Sequence, residues 1–456
     1  MRRSSPPIIR FTDRNFQTAQ AAPQDRKDSR TFQFIVGALA VLAVTYNALV
    51  AMIGAVGLPI SPTTVMITES LILIGVLLCV LRVPFGRDDL PSLLLAYAFL
   101  GITIYLSFMN EVFFPDTMRN IAIIALFTML GLRAKFATVN TACLVIVILV
   151  ALVLALEIVS TPDYVRVFQP AQYFWKTRGL DIPSWDKSGL FSNALGFAER
   201  FSFGLVAHRT SSLFLEQVSM ANFAAFLTVF LMSMWTRFPV WQRAFYTITI
   251  VAILVTNNTR TSLILAILAP VGYFLYPRMP RYLNIAIAPL LLTVAWFVEN
   301  PNRPYADDFA GRLSLTIRTL QKLDLPAVIG EKIGHAMEFA DSGYTYFIYA
   351  GTLPGLMLLW LFIALYLPQR TAAQKRFAYG ACLFIACSLV VGGTSIFTIK
   401  VSSMLWFAAG FLRTQTREDE AGEPQGEAET PVVPAQPEPP VMRIGNRPIR
   451  PAIARF

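Results

Sequence analysis

The feature that most constrains this chain is a long series of apolar runs enclosed between two charged ends. Residues 1–31 and 413–456 hold 23 of the 66 charged side chains (10 plus 13), which leaves 43 for the 381 residues between them. Soluble proteins carry roughly 25% charged residues, whereas this chain carries 14%. A middle section so poor in charge cannot be solvated as one globule, which excludes a soluble enzyme, a nucleic-acid-binding domain and a secreted disulfide scaffold.

The apolar runs predict about twelve membrane spans, since one helical span needs roughly 20 residues. They lie near residues 32–58, 64–81, 91–108, 118–132, 138–160, 217–235, 240–256, 261–276, 282–298, 343–367, 377–392 and 396–412. The first run is too long for the apolar region of a signal peptide, so we expect a retained anchor. The predicted fold class is an all-α polytopic membrane protein with a transmembrane domain at 32–412 and two large outer loops, 161–216 and 299–342.

Lysine and arginine alternate between successive turns, and this alternation predicts the orientation of the spans. The basic turns contain Arg82 and Arg87, Arg133 and Lys135, Arg237 and Arg243, Arg278 and Arg281, and Arg370, Lys375 and Arg376. The opposite turns 58–63 and 392–395 contain neither residue type. Both tails should therefore be cytoplasmic: a basic tail at 1–31 and a disordered tail rich in proline and glutamate at 413–456.

Three arginines, Arg209, Arg260 and Arg312, lie on the expected outer side, against the charge bias. A guanidinium group presents a rigid fork of donors that suits phosphate oxygens, and it stays charged when partly desolvated. The three arginines together predict a shared anionic ligand. The alternative interpretation is that each one contacts a lipid headgroup or caps the C-terminus of a helix.

Acidic residues and both histidines also lie on the expected outer side. They are His208, Glu216, Asp307, Asp308, His335 and Asp341. A transfer reaction needs a base for the attacking hydroxyl group, and any of these side chains could supply it. The adjacent pair Asp307-Asp308 could hold a metal ion, but two neighbouring carboxylates without further ligand spacing favour a solvated turn.

A short pattern precedes and enters the tenth apolar run: Asp341-Ser342-Gly343-Tyr344, then Gly351, then Pro354-Gly355. It resembles the signature of the Wzy-type polysaccharide polymerase and O-antigen ligase superfamily, in which an outer loop ends in a polar pair before a span. The ligase branch typically has His-Asn there, and the matching position in this chain is Asp341, fourteen residues before Gly355. Loss of the histidine favours the polymerase branch.

Two further segments resemble the same superfamily. The run Asn-Asn-Thr-Arg-Thr-Ser at 257–262 is similar to its Ser-Arg-Thr-like motif at the start of a span. The run Arg-Thr-Ser-Ser-Leu-Phe-Leu-Glu at 209–216 is similar to an arginine-rich segment of exopolysaccharide polymerases. The resemblance covers roughly residues 200–360, and the earlier spans match only in number and hydropathy.

The resemblance implies a GT-C-like glycosyltransferase that needs neither a metal nor another cofactor. It would polymerise undecaprenyl-pyrophosphate-linked repeat units into a surface polysaccharide at the outer face of the bacterial inner membrane. The implied partners are the lipid-linked donor and acceptor glycans, membrane lipids and a chain-length regulator, with no nucleic acid. The residue roles are Asp341, His335 and Glu216 as candidate bases, Arg209, Arg260 and Arg312 as pyrophosphate ligands, and Tyr344, Asn258 and Thr261 as supporting residues.

Two other functions stay open at this stage. A ligase would transfer finished glycan to a lipid A-core acceptor, and a transporter or flippase would move lipid-linked glycan across the membrane. Transporters are usually built from matching repeats with short loops, whereas the two halves of this chain do not match and both long loops are external. Glu69 and Lys400, which lie within apolar runs, could pair as a structural bridge or mark a transport path.

Overall fold

The computed structural model describes residues 29–182, 186–195, 205–300, 309–339, 341–391, 393 and 395–415. Within these ranges, the side chains of Arg260, Phe309 and Ser395 are not described. Most of both charged tails and the pair Asp307-Asp308, for which the sequence predicts a solvated turn, lie outside the described residues.

Every regular element in the described part of the chain is helical, and no strand occurs there. The first nine α-helices are α1 (Arg30–Ala55), α2 (Pro62–Leu81), α3 (Leu90–Asn110), α4 (Asp116–Leu132), α5 (Phe136–Val159), α6 (Thr161–Phe168), α7 (Pro170–Arg178), α8 (Gln217–Met234) and α9 (Val240–Asn257). They are followed by α10 (Arg260–Leu275), α11 (Leu283–Val298), α12 (Phe309–Gln321), α13 (Leu325–Ile329), α14 (Gly343–Gly351), α15 (Leu353–Leu365), α16 (Ala372–Val391) and α17 (Ile399–Arg413).

Seven helical segments in the described part of the chain are long and apolar enough to cross a membrane. They are α1, α2, α3, α5, α16, and the segments Gln217–Arg237 and Thr261–Arg278, which extend α8 and α10 by a turn. The pair α14 and α15, bent by 118°, adds an eighth if it counts as one broken span. The protein is therefore an α-helical polytopic membrane protein, but twelve separate spans are not confirmed. Helices α4, α11 and α17 have only 17, 16 and 15 residues, which is short for an independent crossing.

The basic turns lie together at one end of the helical bundle. Arg413 at the end of α17 forms an ion pair of 3.1 Å with Asp88 before α3. Arg237 after α8 donates a hydrogen bond of 2.6 Å to Gln415. The turns that the sequence predicts on the other side lie at the opposite end of the bundle. There Asn110, the last residue of α3, donates a hydrogen bond of 2.8 Å to a carbonyl oxygen just after α13.

Helices α4 and α17 pack with their backbones in direct contact. A Cβ atom added at Gly131 of α4 would overlap the carbonyl oxygen of Phe407, and one added at Gly410 of α17 would overlap the carbonyl oxygen of Thr128. Small residues of this kind allow membrane helices to approach closely. The contact stabilises two helices that are short for independent spans.

We expect Gly131→Ala and Gly410→Ala each to destabilise the protein by about 1–3 kcal/mol, because overpacking forces the two backbones apart. The measurement is the thermal unfolding temperature of the purified protein in detergent. Gly101→Ala in α3 is the matched control, since no atom lies within 4 Å of the added Cβ. Its unfolding temperature should stay the same or rise, and equal behaviour of all three variants would contradict the close approach.

The break between α14 and α15 is formed by the segment that carries the Gly and Pro-Gly positions of the sequence pattern. Thr352 sits at the break with φ +67°, a conformation that is strained for a β-branched residue. Its hydroxyl accepts a hydrogen bond of 3.1 Å from the backbone N–H of Gly355. At the other end of α14, a Cβ added to Gly343 would lie 2.8 Å from the carbonyl oxygen of Gly393. Tight packing at both ends therefore sets the position of α14 and of Asp341 just before it.

Candidate functional site

A cavity of about 510 Å³ lies at the end of the bundle opposite the basic turns. This volume is within the roughly 300–1,000 Å³ of small-molecule sites. Helices α2, α4, α8 and α17 all begin at its wall, and helix N-termini carry partial positive charge. Its described lining includes four cations and four carboxylates, namely Arg119, Arg178, Arg312 and Lys400 with Glu69, Asp116, Glu216 and Asp341.

Glu216, which precedes α8, joins two of the cations. Lys400 Nζ lies 2.6 Å from Glu216 Oε2, and Arg178 Nη1 lies 3.4 Å from Glu216 Oε1. The Ser219 hydroxyl donates a third hydrogen bond of 2.7 Å to the carboxylate. Burial alone would raise the pKa of Glu216, but the two cations hold it well below its usual range. Glu216 is therefore an anchor for two positive charges and a poor acceptor for a proton at neutral pH.

A second charged cluster surrounds Arg119 in the first turn of α4. Its guanidinium lies 3.9 Å from Glu69 Oε2 and 3.8 Å from Asp116 Oδ1. The Tyr46 hydroxyl donates a hydrogen bond to the other oxygen of Glu69. The structural bridge between Glu69 and Lys400 that the sequence left open does not form directly, because each of the two has its own nearer partners. Both nevertheless line the same cavity.

Arg312 and Asp341 complete the charged lining. Arg312, in α12, donates a hydrogen bond of 3.1 Å to the carbonyl oxygen of Val391 at the end of α16. Asp341 is exposed at the cavity. It forms no hydrogen bond or ion pair through its carboxylate with any residue that the structure describes. The carboxylate is thus available to a ligand in the cavity.

A buried carboxylate holds the segment that leads to Glu216. Glu157, near the end of α5, is fully buried and accepts backbone hydrogen bonds of 3.0 Å from Ser211 and 2.7 Å from Ser212. The ring nitrogen Nε2 of His208 lies 3.3 Å from the same carboxylate. These contacts fasten the segment to α5 and so determine where α8 begins. The role of His208 in the described structure is therefore this structural contact.

Arg209 lies close to the end of α9 and does not line the cavity. Its Nε donates a hydrogen bond of 3.1 Å to the carbonyl oxygen of Asn257, the last residue of α9, and its Nη2 donates one of 3.2 Å to Thr259. These contacts match the helix-capping alternative of the sequence interpretation. Arg260 begins α10, and its side chain lies outside the described part of the structure.

The remaining predicted site residues are also absent from the cavity wall. Asn258 takes a left-handed conformation with φ +52° at the end of α9, and Thr261 follows in α10. Tyr344 is buried against α16, where its hydroxyl donates over 3.5 Å to a carbonyl oxygen. His335 is exposed, with Nδ1 2.8 Å from Glu338. Of the predicted site residues, the cavity brings together Glu216, Arg312 and Asp341.

Sequence reasoning missed Arg119 and Arg178 as members of the site. Both are cations on the expected outer side, so the rule that singled out Arg209 could have found them. Arg119 lies inside a predicted span, one turn beyond Asp116, so it was not counted among the outer charges. Arg178 lies in a long outer loop, where a single charge does not indicate a functional site. Only the fold shows that both arginines line the cavity with Glu216.

The cavity combines four cations, which can bind an anionic group, with an exposed carboxylate that has no partner among the described residues. Among the described residues, no group of three His, Cys, Asp or Glu side chains could hold a metal ion. No protein-family model, no curated protein and no solved structure matches the chain.

Proposed function

We propose that this protein is a glycosyltransferase that polymerises lipid-linked oligosaccharide repeat units into a surface polysaccharide. The observation that carries the proposal is the cavity itself, in which four cations line the wall together with the carboxylate of Asp341. In the proposed orientation the basic end of the bundle faces the cytoplasm. The cavity then opens at the outer face of the bacterial inner membrane, where undecaprenyl-pyrophosphate-linked glycan is presented.

The cations supply the binding site for the pyrophosphate group of the donor. Arg178 and Lys400 are held in place by Glu216, and the first turns of α8 and α17 add the partial charges of their N-termini. Negative charge grows on the pyrophosphate as it leaves the sugar, and preorganised cations stabilise that change. Arg119 and Arg312 extend the positive surface. Of these four proposed ligands, Arg312 is the one that the sequence predicted.

Asp341 is the proposed base. Its carboxylate accepts the proton of an acceptor sugar hydroxyl while the hydroxyl oxygen forms a bond to the anomeric carbon of the donor. The bond between that carbon and the pyrophosphate oxygen breaks, and the electron pair leaves with the lipid pyrophosphate. Glu216 is unsuited to this step because Lys400 and Arg178 keep its pKa low. His335 lies outside the cavity wall.

The product that accumulates in a strain without the protein distinguishes the proposed polymerase from a ligase and from a flippase. A strain that lacks a polymerase should accumulate lipid-linked single repeats, because the units are made and presented but not joined. A strain that lacks a ligase should accumulate long lipid-linked chains. A flippase defect should leave single repeats on the cytoplasmic side, inaccessible to a glycosidase added to spheroplasts. Accumulation of long chains or of inaccessible repeats would overturn the proposal.

Arginine substitutions test the pyrophosphate site. We expect Arg178→Gln and Arg119→Gln each to lower the polymer yield by about 10²–10³-fold, the usual effect of removing one preorganised donor from a transition state. Arg178→Lys should restore part of the yield, since lysine keeps the charge and loses the fork. The yield is measured by gel electrophoresis of polysaccharide from the complemented deletion strain.

Arg281→Gln is the matched control for these substitutions. Arg281 lies at the basic end of the bundle, where it donates a hydrogen bond of 2.9 Å to the carbonyl oxygen of Leu365. Its loss should leave the polymer yield unchanged at equal protein abundance in the membrane. Normal yield from both cavity variants, or an equal loss in the control, would rule out the assigned pyrophosphate site.

A further inference from the structure

Two buried asparagines line the same cavity, and neither takes part in the charged clusters through its amide nitrogen. Asn47 of α1 and Asn120 of α4 are each only 4% exposed. The Oδ1 atom of Asn47 accepts a hydrogen bond of 2.7 Å from the Tyr173 hydroxyl. The Oδ1 atom of Asn120 accepts one of 3.5 Å from Arg119. Neither Nδ2 atom has a hydrogen-bond partner among the described residues.

Each amide nitrogen is open to the cavity, since neither is among the fully enclosed polar atoms that lack a partner. A ligand that displaces water from these nitrogens without accepting a hydrogen bond leaves each donor unsatisfied, at a cost of about 1–3 kcal/mol. Two such donors on the wall of one cavity therefore point to a ligand with acceptor oxygens. Three further side chains lie beside them on the lining: Tyr46 and Glu69, joined by a hydrogen bond, and Tyr173. We call Tyr46, Asn47, Glu69, Asn120 and Tyr173 the amide wall.

The groups of the amide wall select against a phosphate and in favour of hydroxyl groups. A phosphate only accepts hydrogen bonds, and the carboxylate of Glu69 would repel it. A sugar hydroxyl both donates and accepts, so it can donate to Glu69 while its oxygen accepts from an asparagine amide. The pyrophosphate is attracted instead to Lys400 and Arg178, and the donor sugar is bonded to that pyrophosphate. The amide wall is thus left for the terminal sugar of the acceptor glycan, whose own lipid pyrophosphate is attached at its other end.

We infer that the amide wall binds the hydroxyl groups of the acceptor sugar and determines which acceptor is used. The inference rests on the proposed function and adds an acceptor subsite to it. Because the wall offers both a carboxylate and amide donors, it suits a sugar ring with adjacent free hydroxyls. Acceptors that lack one of these hydroxyls leave a buried asparagine unpaired and bind more weakly.

Calorimetric titration of the protein in lipid nanodiscs tests this with two probes. One probe is the neutral oligosaccharide mixture released by mild acid from the polysaccharide of the source cells, and the other is sodium pyrophosphate. Asn47→Leu removes an amide donor whose side chain otherwise contacts the Tyr173 hydroxyl, and Asn120→Leu removes the second donor together with an acceptor of Arg119. We expect each to weaken oligosaccharide binding by about 5–10-fold, the equivalent of one hydrogen bond, with Asn47→Leu leaving pyrophosphate binding unchanged.

Two further variants complete the design. Arg178→Gln should weaken pyrophosphate binding and leave oligosaccharide binding intact, which is the converse of Asn47→Leu. Asn284→Leu is the control for a buried asparagine, because Asn284 is fully buried in α11 and contacts the carbonyl oxygen of Ala364 at 3.5 Å, remote from the cavity lining. It should bind both probes as the unaltered protein does. The unfolding temperature of every variant verifies that it is folded.

The outcomes separate the subsite from the proposed function. If the unaltered protein binds both probes and the asparagine variants retain full oligosaccharide affinity, the acceptor subsite is wrong. If the unaltered protein binds pyrophosphate but no oligosaccharide, the subsite is also wrong while the pyrophosphate site stands. If it binds neither probe, the proposed function fails together with the subsite.

Discussion

Asp341→Asn is expected to lower polymer formation by about 10²–10⁴-fold, the contribution of a positioned general base. Asparagine has the shape of aspartate but cannot take the proton of the acceptor hydroxyl. The carboxylate has no partner among the described residues, so its loss should leave the fold intact. The measurement is the ratio of lipid-linked single repeats to polymer in the complemented deletion strain, at equal abundance of the protein in the membrane.

Two further variants, Asp341→Glu and His335→Gln, test whether Asp341 is the base. Glutamate keeps a base at a shifted position and should restore part of the activity, whereas a residue that only supports the fold would show no such rescue. His335 is exposed and contacts Glu338, so His335→Gln should make polymer at a normal rate. A dead His335 variant beside an active Asp341→Asn variant would reverse the two roles and reject Asp341 as the base.

Hydropathy and charge bias were sufficient to predict the helical membrane class and the grouping of the basic turns at one end. Hydropathy and charge are properties of single segments, so each segment can be interpreted without knowledge of its neighbours. The number of spans depends on packing as well. Helices α4 and α17 are short for independent spans, and they pack against each other at Gly131 and Gly410. No property of either segment alone predicts this contact.

The site was predicted only in part for a similar reason. Glu216, Arg312 and Asp341 were singled out by their position against the charge bias or in the sequence pattern, and all three line the cavity. Arg209 met the same criterion, yet its guanidinium reaches the C-terminus of α9. Whether an arginine at such a position contacts the C-terminus of a helix or an anionic ligand depends on the fold. Asn47, a polar residue inside the first apolar run, carried a signal that was not used, since polar residues within spans often mark functional sites.

The ion pair between Lys400 and Glu216 should have the largest effect on stability. Lys400 is 1% exposed, and its ammonium lies 2.6 Å from a largely buried carboxylate. Removing Lys400 leaves Glu216 with the partly exposed Arg178 at 3.4 Å as its cation, and breaking a buried pair costs up to about 3–5 kcal/mol. We expect Lys400→Met to unfold at a markedly lower temperature in detergent than the unaltered protein.

The double variant Lys400→Met/Glu216→Gln distinguishes a lost charge partner from lost packing. With both charges removed, the cation that loses its carboxylate partner is Arg178, whose side chain is 43% exposed and can be hydrated. Replacement of a buried pair by neutral side chains of similar size is often nearly neutral. Its unfolding temperature should therefore recover most of the loss seen in Lys400→Met. Polymer formation should nevertheless stay low, because the proposed pyrophosphate site has lost one cation together with the anchor that orients Arg178. A double variant that is as unstable as Lys400→Met would show that methionine is poorly packed at this position, and a double variant with full polymer yield would remove Lys400 from the proposed site.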